Sequence, residues 1–167
     1  MKRALAFVLL AAVWLAAPVS CIGAGDASLS MPVRGVWMHP GFFGPDKTAA
    51  VEKMRLTLDE YARAGINTLI ICIKNTSGHL YYASEIGVRD KAWDWDFFAV
   101  FLAEAKKRKM EVHPWFCVFP ESSILGQVRE HPEWLITSPK RETVGAVNPA
   151  LPAVRKYEIS LMLEVVR

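Results

Sequence analysis

The side chains best able to bind a ligand lie along three apolar segments of the chain. His39 ends the first segment and Lys74 ends the second, while Trp37, His113 and Trp115 lie within the first and third. An indole ring at a pocket mouth offers a flat, polarisable surface to positively polarised C–H groups. Imidazole and ammonium groups add hydrogen bonds to hydroxyls. A sugar ring presents both surfaces, so these five residues are candidate substrate-binding residues.

The tyrosine pair after the second apolar segment is a further candidate. Tyr81, with Tyr82 beside it, could offer a ring to a sugar, although packing within the loop explains the pair equally well. The other candidates have structural alternatives too. His39 could simply bond the loop backbone, Lys74 could run its apolar stem along the strand, and His113 could be a satisfied core histidine.

Hydrolysis of a glycosidic bond needs two carboxyl groups about 5 to 9 Å apart. Glu121 follows the third apolar segment and is the candidate catalytic carboxylate, but one carboxylate is not a pair. Other acidic residues lie on predicted helices and are expected to face solvent, among them Asp59, Glu60, Glu104 and Glu158. The catalytic pair therefore stays unassigned.

Several other chemistries have no signature in the sequence. There is no phosphate-binding glycine loop, no dinucleotide fingerprint and no nucleophile elbow. The four histidines are scattered, without the spacing of a zinc site, so neither a metal nor a cofactor is expected. The formal net charge of +3 is too small for the basic footprint of a nucleic-acid-binding protein.

Three predicted strands must position these side chains: Arg34–His39, Asn67–Lys74 and Glu111–Phe119. Each is followed by an amphipathic helix, the last running towards Arg167. Strand–helix alternation at this spacing predicts an α/β fold with a parallel sheet. Within each strand the apolar side chains alternate with the histidines, the lysine and the tryptophans. One face should pack under helices, and the other should carry the candidate site.

The first 20 residues are predicted to be a secretory signal. Lys2 and Arg3 precede an apolar run from Ala4 to Ala17 that is short for a membrane span, although an uncleaved anchor is an alternative. The following Val-Ser-Cys resembles a lipoprotein cleavage box, which would make Cys21 the lipidated first residue. The alternative is secretion of the cleaved chain without lipidation. Residues 21–32 are a predicted linker, and 33–167 are the domain.

Six short motifs, in order, carry a resemblance to a known family. Together they resemble the amino-terminal part of the glycosyl-hydrolase-like family 10 proteins, which are exported bacterial (β/α)8-barrel proteins that often carry lipoprotein signals. The motifs are Arg34-Gly-Val-Trp37, Ala64-Gly-Ile-Asn-Thr68, Leu80-Tyr-Tyr-Ala-Ser84, Glu111-Val-His-Pro-Trp-Phe116, His131-Pro-Glu-Trp-Leu135 and Asn148-Pro-Ala-Leu-Pro-Ala-Val-Arg155.

The resemblance implies a TIM-type barrel. This chain would supply the first three βα units of the barrel and would end before the barrel closes. It also implies action on a polysaccharide or envelope glycan, with the catalytic carboxylates on a fourth strand that this chain does not reach. We therefore expect an exported glycoside hydrolase-like protein of the periplasm or cell envelope. It would touch the membrane only through its signal or lipid anchor, and this chain alone would be inactive. The alternative is a non-catalytic carbohydrate-binding or cell-envelope scaffold lipoprotein.

Overall fold

A computed structural model of the chain describes residues 32–140 and 142–166. The predicted signal, Cys21 and the predicted linker up to residue 31 lie outside the described residues. No helix in the described part is long and apolar enough to cross a membrane.

Four helices and seven strands make up the described part, together with short 3-10 turns at Pro40–Phe42 and Pro132–Trp134. In chain order the elements are β1 (Gly35–Met38), α1 (Lys47–Arg63), β2 (Thr68–Lys74), β3 (His79–Leu80), β4 (Val88–Arg89), α2 (Phe97–Lys107), β5 (Glu111–Phe116), α3 (Gly126–Glu130), β6 (Leu135–Thr137), β7 (Thr143–Val147) and α4 (Pro152–Val165).

The principal sheet confirms the predicted α/β arrangement. β2 lies in the centre and pairs in parallel with β1 on one side and β5 on the other. β5 ends at Phe116, three residues before the predicted end. The physical reason is that the carbonyls of Cys117 and Val118 accept hydrogen bonds from the Lys74 ammonium, at 3.1 and 2.7 Å.

The first two long helices begin where side-chain caps satisfy free backbone N–H groups. The Asp46 carboxylate accepts a hydrogen bond from the N–H of Ala49, and Asp96 accepts one from Ala99, both at 2.8 Å. Gly65, with φ +76°, follows the end of α1 in the left-handed conformation that a glycine adopts without strain.

Helices α1 and α2 cover one face of the sheet. Leu69, Ile71 and Ile73 of β2 are fully buried there, and the core continues into an aromatic cluster around Phe97 and Phe101. Aliphatic and aromatic side chains of this size contribute about 1.5–3 kcal/mol each when they are fully buried. Trp93, Trp95 and Trp134 also belong to the core.

The loops after the strands contain elements that the sequence did not predict. β6 and β7 form an antiparallel hairpin, and β3 and β4 are two-residue strands. β3 and β4 are too short to show a period-2 pattern, which explains why they could not be predicted.

Candidate functional site

The sheet face opposite the helices carries exposed aromatic side chains. Trp37 of β1 is 65% exposed, and its ring meets the partly exposed ring of Trp115 edge to face, with 5.2 Å between the centroids. β1 and β5 are separated by β2, so the two indoles meet across the central strand. These two candidates therefore lie on one face, as the alternation predicted.

Two histidines border this pair of indoles. His113 is exposed on β5, and its Nε2 lies 3.1 Å from Glu111 Oε1. His39 follows β1, and its Nδ1 accepts a hydrogen bond from the N–H of Gly41. Burial lowers the pKa of His39 below its usual value, so the ring is neutral at pH 7. Because Nδ1 is an acceptor, the proton of the neutral ring is on Nε2, which can donate to a ligand hydroxyl.

Tyr81 has a different position from the one predicted. It is only 4% exposed, its hydroxyl accepts a hydrogen bond from Asn75 Nδ2, and its ring lies between those of His39 and Trp93. Burial raises the pKa of its hydroxyl. The alternative of loop packing therefore describes Tyr81, whose ring supports His39 and is not open to a sugar.

Lys74 also departs from the prediction that it shares a face with the tryptophans. The β2–β5 register shifts between Cys72, which pairs with Trp115, and Lys74, which pairs with Phe116. Paired residues of neighbouring strands point to the same side of a sheet, and a one-residue shift moves a side chain to the other face. The bulge therefore turns Lys74 to the helix side, where it is fully buried.

The buried Lys74 ammonium is the centre of an ion cluster, which we call the Lys74 cluster and which comprises Lys74, Glu121 and Glu158. The Lys74 Nζ lies 2.8 Å from Glu121 Oε1 and 3.1 Å from Glu158 Oε1 of α4. Both glutamates are about 1% exposed. An unpaired buried charge is costly, so each member of the cluster depends on the others.

Glu121, the candidate catalytic carboxylate, is thus ion-paired with Lys74. Glu121 and Glu158 are brought close together, as two carboxylates that share one ammonium must be. They are nevertheless buried, whereas a glycosidase needs its pair to flank a bound sugar. In the described residues this pair serves the packing of the strands against α4.

The prediction that Glu104 and Glu158 face solvent is wrong. Glu104 accepts hydrogen bonds from Lys107, Arg108 and Arg55, and these donors lower its pKa to about 2. Burial raises the pKa of Glu158 to about 7. Its place four residues after Val154 and three before Leu161, on the apolar stripe of α4, was the signal that could have revealed its burial.

The Lys74 cluster lies where three loop segments meet at the carboxyl ends of the strands. Ser122 and Ser123 donate backbone hydrogen bonds to the carbonyls of Thr76 and Ser77, and Glu121 donates one to Gly145 of β7. The close approach of Gly78 to Glu121 is a second, steric constraint on these loops. Gly78 has φ +88°, and a Cβ there would overlap the Glu121 carboxylate.

The described residues contain no group of three or more His, Cys, Asp or Glu side chains that could hold a metal ion.

Removing the Lys74 ammonium should strongly destabilise the fold. We expect Lys74→Met to lower the free energy of unfolding by about 3–5 kcal/mol, since the buried Glu121 carboxylate loses its counter-ion and Glu158 loses its hydrogen-bond donor. Urea denaturation measures this change, with exposed Lys106→Met as the matched control. The triple variant K74M/E121Q/E158Q should recover more than half of the loss. A single-variant loss below about 1 kcal/mol would show that the cluster is not a major constraint.

Gly78→Ala tests the steric contact with Glu121. Gly44 is the matched control, because its φ of +86° is nearly the same and nothing lies within 4 Å of its Cβ position. Gly44→Ala should cost about 1 kcal/mol through the left-handed backbone alone. Gly78→Ala should cost at least about 1 kcal/mol more through overpacking, as measured by urea denaturation. Equal losses would contradict the contact.

Comparisons with known proteins show which family and which relatives this chain resembles. A family model described as glycosyl hydrolase-like 10 matches residues 32–167. A curated relative, glycosyl hydrolase DigH of Escherichia coli strain K12, is 27% identical over 82% of this chain. The chain spans 39% of the length of that relative.

Solved structures resemble the fold at low sequence identity. A hypothetical protein of Ruminiclostridium thermocellum has a TM-score of 0.62 at 17% identity, over 78% of this chain and 70% of its own. The α-galactosidase TtGalA of Thermus thermophilus has a TM-score of 0.58 at 14% identity, over 81% of this chain and 28% of its own.

These likenesses identify the three principal strands and their helices as the first part of a TIM-type barrel, as predicted. The matched region begins just before β1 and includes every described element. The chain belongs to the glycosyl hydrolase-like 10 family, and its domain is glycoside hydrolase-like.

Proposed function

We propose that this chain supplies a sugar-binding part of an exported glycoside hydrolase-like barrel that acts on a polysaccharide or envelope glycan. The observation that carries the proposal is the exposed pair of Trp37 and Trp115 between His39 and His113. The substrate class is drawn from the family and from glycosidase structures with the same fold.

The chemistry of this face suits a carbohydrate. Trp37 leaves a large apolar surface open in the described residues, on the face that lines the interior of a barrel, where a bound ligand and the later strands can both cover it. The C–H face of a pyranose can cover an indole, while its hydroxyls need hydrogen bonds at the rim. In this proposal the Nε2–H of His39 and the imidazole of His113, each two residues from one of the tryptophans, supply them.

The catalytic carboxylates are expected from strands that follow β5 in the longer relatives. Glu121 is held by Lys74 and is about 1% exposed, so we assign it a structural role and not that of acid or nucleophile. The barrel would then divide its functions, with these three strands binding the sugar and later strands providing the reacting groups.

A carbohydrate-binding or scaffold role without hydrolysis is the second candidate. It is favoured by the exposed aromatic platform on one face of the sheet, while the Glu121 and Glu158 pair is buried and ion-paired on the other. The protein encoded by the full reading frame should be assayed for both glycan binding and glycan hydrolysis. Binding without hydrolysis would support this role, whereas release of reducing sugars would support the hydrolase.

The indole pair should determine glycan affinity. We expect Trp37→Ala and Trp115→Ala each to weaken binding of soluble peptidoglycan fragments or other envelope polysaccharides about fivefold, since one aromatic contact contributes about 1 kcal/mol. Isothermal titration calorimetry with a panel of such glycans measures the change. Phe42→Ala is the control, because Phe42 is 50% exposed and lies outside the indole pair. Unchanged affinity in both tryptophan variants would contradict the platform.

Export and lipidation make a separate prediction. Residues 1–20 would direct the chain out of the cytoplasm, and Cys21 would be acylated after cleavage. In a bacterial host the chain should fractionate with membranes, and Cys21→Ala should release it or block its processing. Mass spectrometry of the mature amino terminus distinguishes the outcomes. An exported chain with an unmodified Cys21 would show secretion without lipidation. A chain that stays in the cytoplasm with residues 1–20 still attached would contradict export.

A further inference from the structure

The Lys74 cluster contains more negative than positive groups. Two carboxylates, Glu121 and Glu158, share the single ammonium of Lys74 in a space that is nearly closed to water. If both carboxyl groups were ionised, the cluster would carry a net charge of −1. A buried net charge is strongly unfavourable in the low dielectric of a protein interior.

Two buried oxygens of the cluster, Glu121 Oε1 and Glu158 Oε2, have no hydrogen-bond partner in the described part of the chain. Glu121 Oε1 lies 2.8 Å from the Lys74 ammonium as its ion-pair partner, so Glu158 Oε2 is the one with the environment expected of a protonated carboxyl group. Glu158 Oε1 accepts from Lys74 Nζ, but Glu158 Oε2 is buried and has no such partner in the described residues. A charged oxygen left in this way would lose its hydration without compensation, whereas a hydroxyl loses less.

Neighbouring charges do not offset the imbalance. On α4, Arg155 lines the same cavity as Glu158, Tyr157 interacts electrostatically with both Glu158 and Glu164, and Tyr82 packs on the same helix. Arg155 donates to the carbonyls of Pro149 and Ala150. Glu164 accepts from Ser84 Oγ and the backbone of Glu85. Burial raises the pKa of both tyrosines, which keeps them neutral.

We propose that the Lys74 cluster is a proton-dependent latch, in which a proton on Glu158 keeps the loops after β2 and β5 fastened against α4. With that proton present, Lys74 and Glu121 form a balanced pair and Glu158 joins them as a neutral hydrogen-bonding group. Loss of the proton places two carboxylates on one ammonium, and their repulsion loosens the segment from Glu121 to Ser123.

The direction of the pH effect follows from the raised pKa of Glu158. That pKa is about 7 in the folded chain, against 4.5 for an ordinary glutamate, so folding favours the protonated form. The stabilisation is fully present below about pH 4.5, falls as the pH rises towards 7, and is lost above it. The latch is therefore closed in mildly acidic solution and open in alkaline solution.

Glu158→Gln is the direct test, since glutamine is a neutral isostere. The ratio of the wild-type unfolding constant to that of Glu158→Gln should rise on the order of 100-fold between pH 4.5 and pH 8 in urea titrations. Glu60→Gln, an exposed glutamate of α1, is the control, and its ratio should stay flat. A flat ratio for Glu158→Gln as well would overturn the proposal.

A measurement on the unmodified chain keeps the proposal testable if the variant fails to fold. The side-chain carboxyl carbon of Glu158 can be followed by NMR from pH 4 to 9. A titration midpoint above pH 6, with a parallel loss of amide protection at Ser122 and Ser123 after correction for intrinsic exchange, supports the latch. A midpoint below pH 5, or unchanged protection through the midpoint, overturns it.

Discussion

The interior ammonium of Lys74 is the constraint on which the carboxyl end of this sheet depends. A lysine that is closed to water needs acceptors for its N–H groups and a counter-charge. The chain provides the carbonyls of Cys117 and Val118 and the carboxylates of Glu121 and Glu158. These acceptors come from two regions that are distant in sequence from β2, so satisfying Lys74 also joins β2 to the segment after β5 and to α4.

The bulge in β2 separates two functions that the alternation of the strand would otherwise have placed on one face. It directs Lys74 to the helix side and leaves Trp37, Trp115 and His113 on the open side. The first group holds the loops in place, and the second remains available to a ligand. In the proposed function, the Lys74 cluster is the rigid support behind the exposed aromatic surface.

Much of the fold could be predicted because its signals are local. The apolar segments, the aspartate caps of α1 and α2 and the alternation of β1 depend on neighbouring residues alone. The bulge could not be predicted in this way, since it arises from the pairing of β2 with β5. Without the bulge, Lys74 was assigned to the wrong face and Glu121 was left as a lone carboxylate. Tyr81 was misplaced because its neighbours, His39 and Trp93, are distant in sequence.

The Lys74 cluster supports the loops after β2 and β5, and amide hydrogen exchange at pH 6 tests this claim most directly. Cys117, Glu121, Ser122 and Ser123 donate backbone hydrogen bonds across these segments. Their amides should be protected to within about tenfold of those of Leu69 and Ile71 in β2, because at pH 6, below the pKa of Glu158 of about 7, the cluster is closed and opens with the sheet. Exchange at the rate of an exposed loop, while β2 stays protected, would contradict the account.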